Sequence, residues 1–184
     1  MAFDLVDTVW TEHGVLVDQF DDLEGVRAWL AEHGLPGDDE LERVRDRLVE
    51  ARGALRAMLD GHGPEGLNAV LGHGSRRPLI RTTDSRELSE QDEVGKPVRS
   101  DAPYEPYELV VVDDAAWHAA WVAAADLVRV LGERPERVRK CANPECVLWF
   151  LDTSKNGSRR WCSMEACGNR AKVGRFNQRQ RTAG

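Results

Sequence analysis

RVRKCANPECVLWFLDTSKNGSRRWCSMEACGNRAKVGRFNQRQR, residues 137–181, holds all four cysteines of the chain, Cys141, Cys146, Cys162 and Cys167. Their spacing is C-x4-C, fifteen residues, C-x4-C. A tetrahedral zinc ion takes four thiolates at about 2.3 Å, and two local pairs supply them when the chain between folds back on itself. Residues 147–152 are apolar enough for a strand, Lys155-Asn156-Gly157-Ser158 carries an Asn-Gly turn signal, and residues 159–162 return. The spacing therefore predicts a hairpin pinned by one structural zinc ion, with a helix over about 169–181. Ser163 offers an incomplete capping box for an earlier start. Two disulfides, or unrelated buried thiols, are the alternatives for the cysteines; a reduced compartment disfavours disulfides.

The run WCSMEACGNRAKVGRF, with Cys167-Gly168-Asn169-Arg170 at its centre, resembles the signature of the CGNR zinc-finger family. These are bacterial proteins whose C-terminal finger follows a domain called ABATE. FDLVDTV near the start and GVRAWLAEHGL are similar to the opening of that domain, so the resemblance spans nearly the whole chain. One departure is Asp7, where relatives often carry Asn. The family is described as stress-induced transcription regulators, so the resemblance implies nucleic-acid binding.

Charge divides the chain the same way. Residues 137–184 carry eleven Lys and Arg against three Asp and Glu, a balance of +8, whereas residues 1–136 carry fourteen against twenty-nine, a balance of −15. A basic tail on an acidic body is the pattern of one module meeting a polyanion. On a helical projection Lys172, Arg175 and Arg179 form one stripe suited to phosphates, and Lys155, Arg159 and Arg160 at the hairpin turn extend it. Asn169 and Arg170 fall toward the knuckle, with a partly structural role in bonding the hairpin or the metal's surroundings. Seven phosphate contacts would give a log–log salt slope of about −6 on duplex DNA. Val147, Trp149, Phe150, Trp161 and Phe176 are expected to form the finger's own small core, with stacking of Trp161 or Phe176 on a base as the alternative.

The first 134 residues read as a domain of helices and short antiparallel strands. Residues 3–9 and 15–20 suggest a hairpin broken at His13-Gly14. Helices follow from Asp21 or Asp22 to His33, from Asp38 or Asp39 to about Leu59, and over 65–71 after Pro64. Residues 78–83 and 107–112 read as strands, with one weaker strand conceivable between them, and a helix runs from Asp113 or Asp114 to Gly132. On that last helix Trp117, Trp121, Ala124, Leu127, Val128 and Leu131 form an apolar stripe, expected to be core. The fold class is thus α+β, an ABATE-like domain over 1–134 followed by a CGNR-type finger over 137–184.

Enzymatic motifs are missing: the sequence has no P-loop, no G-x-S-x-G and no H-E-x-x-H, and His13, His33, His62, His73 and His118 are scattered. Asp4 and Asp7 on a strand would point to opposite faces and make no acid–base pair. The start, MAFDLVDTVW, lacks a basic n-region and an apolar h-region, and no membrane span is visible, so the expected location is cytoplasmic. These readings predict a non-enzymatic zinc protein that binds DNA and regulates transcription, its N-terminal domain sensing an unknown small molecule or forming a homodimer. RNA binding, or a protein-interaction module with a structural zinc, are the alternatives.

Overall fold

The structure, a computed structural model, describes residues 1–36, 40–82 and 104–172. The expected helix start at Asp38 or Asp39, any strand within 84–103, and Arg175, Phe176 and Arg179 on the C-terminal helix lie outside the described residues.

Ala2, Leu5 and Val6 are fully buried, the spacing of one helical face, and they form a short helix α1, Ala2–Val6, where a strand was expected. Five residues cannot hold a helix alone in water. Two neighbours fix this one at its ends. Asp126 accepts the Ala2 N–H at 3.0 Å, and Arg56 donates to the Val6 carbonyl at 2.6 Å and the Val9 carbonyl at 2.9 Å. The hairpin follows as β1, Val9–Glu12, and β2, Val15–Asp18, joined by His13 and Gly14. Both turn residues have positive φ, 49° and 82°, the twist that a two-residue hairpin loop needs.

Asp18 ends β2 by accepting the Phe20 N–H, and Asp22 accepts the Gly25 N–H to cap α2, Leu23–Glu32. The long helix α3, Leu41–Leu59, is the centre of the domain and packs against α1, α2, α4 (Glu65–Leu71) and α5 (His118–Glu133). Its buried stripe is Leu41, Val44, Leu48, Ala51, Ala54 and Leu55, and it also carries one buried cation. Arg52, 7% exposed, donates to both carboxylate oxygens of Asp18 at 2.6 and 2.5 Å and to Thr8 Oγ1 at 2.8 Å. A charge so placed persists only with such partners.

Asp114 caps the single 3-10 turn, Ala115–Trp117, that leads into α5. Trp117 and Trp121 are core, 3% and 5% exposed, and Trp121 donates to the Leu71 carbonyl. Val128 departs from the expected stripe and is exposed; Ala120, Ala123 and Val130 carry the buried face instead. The strands β3, Gly74–Thr82, and β4, Tyr104–Val112, pair antiparallel over their full length and begin earlier than residues 78 and 107. No helix among the described residues is long and apolar enough to cross a membrane.

The finger enters through β5, Val138–Lys140, which pairs antiparallel with β6, Trp149–Leu151. This corrects the expected hairpin. Residues 147–152 do supply a strand, but it pairs upstream instead of across the Asn-Gly turn, because Cys141 and Cys146 bring β5 beside it first. The returning segment touches the sheet through Ala142, whose N–H donates to the Arg160 carbonyl at 2.8 Å.

The finger is docked, and its expected private core is shared. Trp149 packs against the helical core of the first domain, and its backbone N–H donates to Asp7 Oδ1 at 3.0 Å. Lys140 pairs with Asp60 at 2.7 Å and lies over the Trp149 ring. Phe150 is buried, 7% exposed, and covered by the Arg159 guanidinium. Burial pushes the Asp7 carboxyl up to about 7, although the Trp149 N–H and nearby Arg56 favour its ionised form.

Candidate metal centre

The four cysteines converge from two turns. Cys141 leaves β5, and its N–H donates to the Leu148 carbonyl at 2.9 Å. Asn143 shapes the turn to Cys146 by accepting from Glu145 N–H on its side chain and from Cys146 N–H on its carbonyl. Ser163 caps the second turn, its hydroxyl accepting from Glu165 and Ala166 N–H. That turn is a wide i→i+5 one, Met164–Gly168, running into helical residues 169–172. The helix thus begins five residues before Asn169, because Ser163 caps it without a capping-box partner.

The four Sγ atoms lie within 4.8 Å of one another, with Cys146–Cys162 at 3.8 Å and Cys162–Cys167 at 3.7 Å. A tetrahedron of sulfurs around zinc at about 2.3 Å has edges of about 3.8 Å. The donor set therefore fits one zinc ion with little rearrangement. It is a set of free thiols, none bridged to another. Burial pushes the Cys146 thiol up to about 11 and the Cys162 thiol higher still. Cys167 moves down despite its burial, since Asn143 Nδ2 donates to its sulfur at 3.5 Å. The Cys162 N–H points at Cys141 Sγ, also at 3.5 Å. Asn143 was not legible as a partner of the metal site; an Asn two residues after a cysteine is the signal it leaves in the sequence.

The loop behind the site is held by one buried carboxylate. Asp152, 2% exposed, accepts from Ser154 N–H, Ser154 Oγ and Arg159 N–H at 2.9, 2.6 and 2.9 Å. The Ser154 hydroxyl and these N–H groups hold its carboxyl below the usual carboxylate range. Arg137, just before β5, and Arg139 within it reach the carbonyls of Ser154 and Gly157 at 2.7 and 2.8 Å. Gly157, at φ 58°, lies so close to the Arg137 guanidinium that a methyl there would come within 2.9 Å of it.

The expected nucleic-acid residues therefore divide. Arg159 is half-buried, with its guanidinium donating to the Trp161 and Cys162 carbonyls. It ties the returning chain to the metal site. Lys155, Arg160 and Lys172 are exposed, Arg160 with its guanidinium over the half-buried Trp161 ring. Asn169 donates to the Glu165 carbonyl of its own helix, and Arg170 is exposed beside the knuckle. Arg170 borders a cavity of about 530 Å3 between finger and first domain, which reaches Cys146, Cys162 and Cys167 on one wall and Trp10 and His13 on the other.

Comparison with known families matches residues 137–180 to the CGNR zinc finger and residues 1–134 to ABATE, described as "Putative stress-induced transcription regulator". The chain belongs to the ABATE–CGNR family. The CGNR match places Cys141, Cys146, Cys162 and Cys167 inside a zinc finger, as their geometry requires. No curated protein matches this ABATE–CGNR chain.

Proposed function

We propose that this ABATE–CGNR protein binds duplex DNA through its zinc finger and regulates transcription, with the helical domain as the sensing or dimerising module. The observation that carries the reading is the opposition of charge across one docked assembly: +8 on residues 137–184 against −15 on residues 1–136. The acidic body repels phosphates, so a polyanion meets the finger and nothing else. Lys155, Arg160 and Lys172 are exposed and available for those contacts, with Arg175 and Arg179 continuing the stripe in sequence. Zinc folds the segment that displays them, and Arg159 serves that fold rather than a phosphate. The family's description as transcription regulators agrees with this assignment.

A second reading rests on Trp161, half-buried beside Arg160 at the exposed end of the finger. An aromatic ring with a guanidinium over it suits stacking on an unpaired base, hence RNA or single-stranded DNA. Fluorescence polarisation with zinc-loaded protein and random duplex DNA, single-stranded DNA and structured RNA separates the readings. Zinc-dependent preference for duplex supports the regulator, a preference for RNA supports the second reading, and no binding to any of them leaves the finger a protein-docking module.

A further inference from the structure

The seam between finger and body encloses a cavity of about 530 Å3, the size of a small-molecule site, in a place where such sites preferentially form. A zinc ion seated among sulfurs that lie within 4.8 Å of one another takes up a small part of that volume. The remainder has two walls. On the body side β1 supplies Trp10 and Glu12, and the finger supplies Glu145, Leu148, Ala166 and Arg170. Trp10 and Leu148 are half-buried, so they give the cavity apolar surface that a ligand can still cover. Glu12 and Glu145 are exposed, one on each wall. Among the described residues neither of their carboxylates is held in an ion pair or a hydrogen bond.

The balance of charge decides what fits. Two free carboxylates stand against one Arg side chain, Arg170, on this lining. Four thiolates outweigh the charge of one zinc ion, so the loaded centre adds to the negative side, and the body behind β1 belongs to the half of the chain that carries −15. A cleft of this sign concentrates cations and repels anions. The apolar wall then selects among cations. An indole face attracts an organic cation through its ring electrons, and burial beside Trp10 and Leu148 rewards a hydrophobic body on that cation, neither of which a bare metal ion exploits. We propose that the seam binds a monovalent organic cation with a flat aromatic body, its ring against Trp10 and Leu148 and its charge between Glu12 and Glu145. Such an occupant touches finger and body at once and favours their docked arrangement. The site gives the sensing role proposed for the helical domain a ligand class, and it stands whether or not the finger binds DNA.

The test is equilibrium dialysis of the zinc-loaded, nucleic-acid-free full-length chain against N-methylacridinium, with anthracene-9-carboxylate as an anion of the same ring size. The expected result is saturable binding of the cation, at least about ten-fold tighter than that of the anion. A carboxylate about 4 Å from the ligand's charge is worth about five-fold in affinity in water, so Glu12→Gln and Glu145→Gln should each weaken the cation by about that factor. Arg170→Gln removes the opposing charge and should tighten it. Glu12 and Glu145 are exposed and free of partners among the described residues, so their variants keep fold and zinc content. Equal or tighter binding of the carboxylate, no saturation by the cation up to about 1 mM, or a cation affinity unmoved by both glutamate changes overturns the proposal. The two glutamate variants decide it even where the Arg170 variant fails to fold.

Discussion

Replacing Asp7 with Asn should stabilise the folded protein at neutral and alkaline pH and have almost no effect below about pH 4. Asp7 sits in the joint between α1 and β6, accepting the Trp149 N–H, and burial raises its carboxyl from 3.8 to about 7. Because the folded state holds this proton more tightly than the unfolded chain, Asp7 favours folding most below about pH 4. That contribution is lost as pH rises through about 7. At 1.36 kcal/mol per pH unit, the displacement corresponds to a ceiling of about 4 kcal/mol at pH 8. The side chain is not fully enclosed, and water entry beside it reduces the figure to about 1–3 kcal/mol. Asn keeps the acceptor oxygen for Trp149 and removes the ionisation. Thermal unfolding of both zinc-loaded proteins between about pH 5.5 and pH 8 should give curves that diverge with rising pH, the variant ending about 3–10 °C higher. The zinc site titrates in both and cancels in the difference. Parallel curves, or a variant less stable at pH 8, would refute the assignment of Asp7 as a strained buried acid.

Zinc affinity should fall steeply as pH decreases, because Cys146 and Cys162 hold their protons at neutrality and must release them on binding. Competition against a chelator at two pH values should give a loss of about 100-fold per unit decrease, and less than about ten-fold would contradict the two raised thiols. Arg52→Met leaves Asp18 and Thr8 without their shared donor in the core and should cost about 2–4 kcal/mol in chemical denaturation, with the midpoint and not the slope moving. Gly25→Ala would set a methyl against the Gln19 carbonyl oxygen at the start of α2. It should cost at least about 2 kcal/mol, while Gly53→Ala on the open face of α3 should be neutral or stabilising.

The helices of the body were legible because their signals are local. Asp22 before Leu23, Pro64 before Glu65 and the apolar stripe from Leu41 to Leu55 each mark an element without reference to the rest. The α1 segment was not, because its helix is imposed by Arg56 and Asp126, residues fifty and more than a hundred positions away. At the metal site, the ligand set follows from cysteine spacing alone. The pairing of β6 with β5 does not, since an Asn-Gly turn marks a reversal without saying which strands it joins. The burial of Arg159 is equally hidden. Nothing in RR at 159–160 separates a guanidinium bonded to the Trp161 and Cys162 carbonyls from one facing solvent. Docking of the finger on the body is a long-range event too, carried by Asp7 and Trp149 across most of the chain.

The most direct test of the account is the salt dependence of duplex DNA binding by the zinc-loaded protein, compared with a Lys155→Ala, Arg160→Ala, Lys172→Ala triple variant. Each lost phosphate contact should reduce the log–log slope by about 0.9, so the variant's slope should be shallower by about 2.7 while its zinc content and melting temperature stay the same. An unchanged slope, or no binding by the unaltered protein at low salt, would contradict the claim that the exposed basic face of the finger meets DNA.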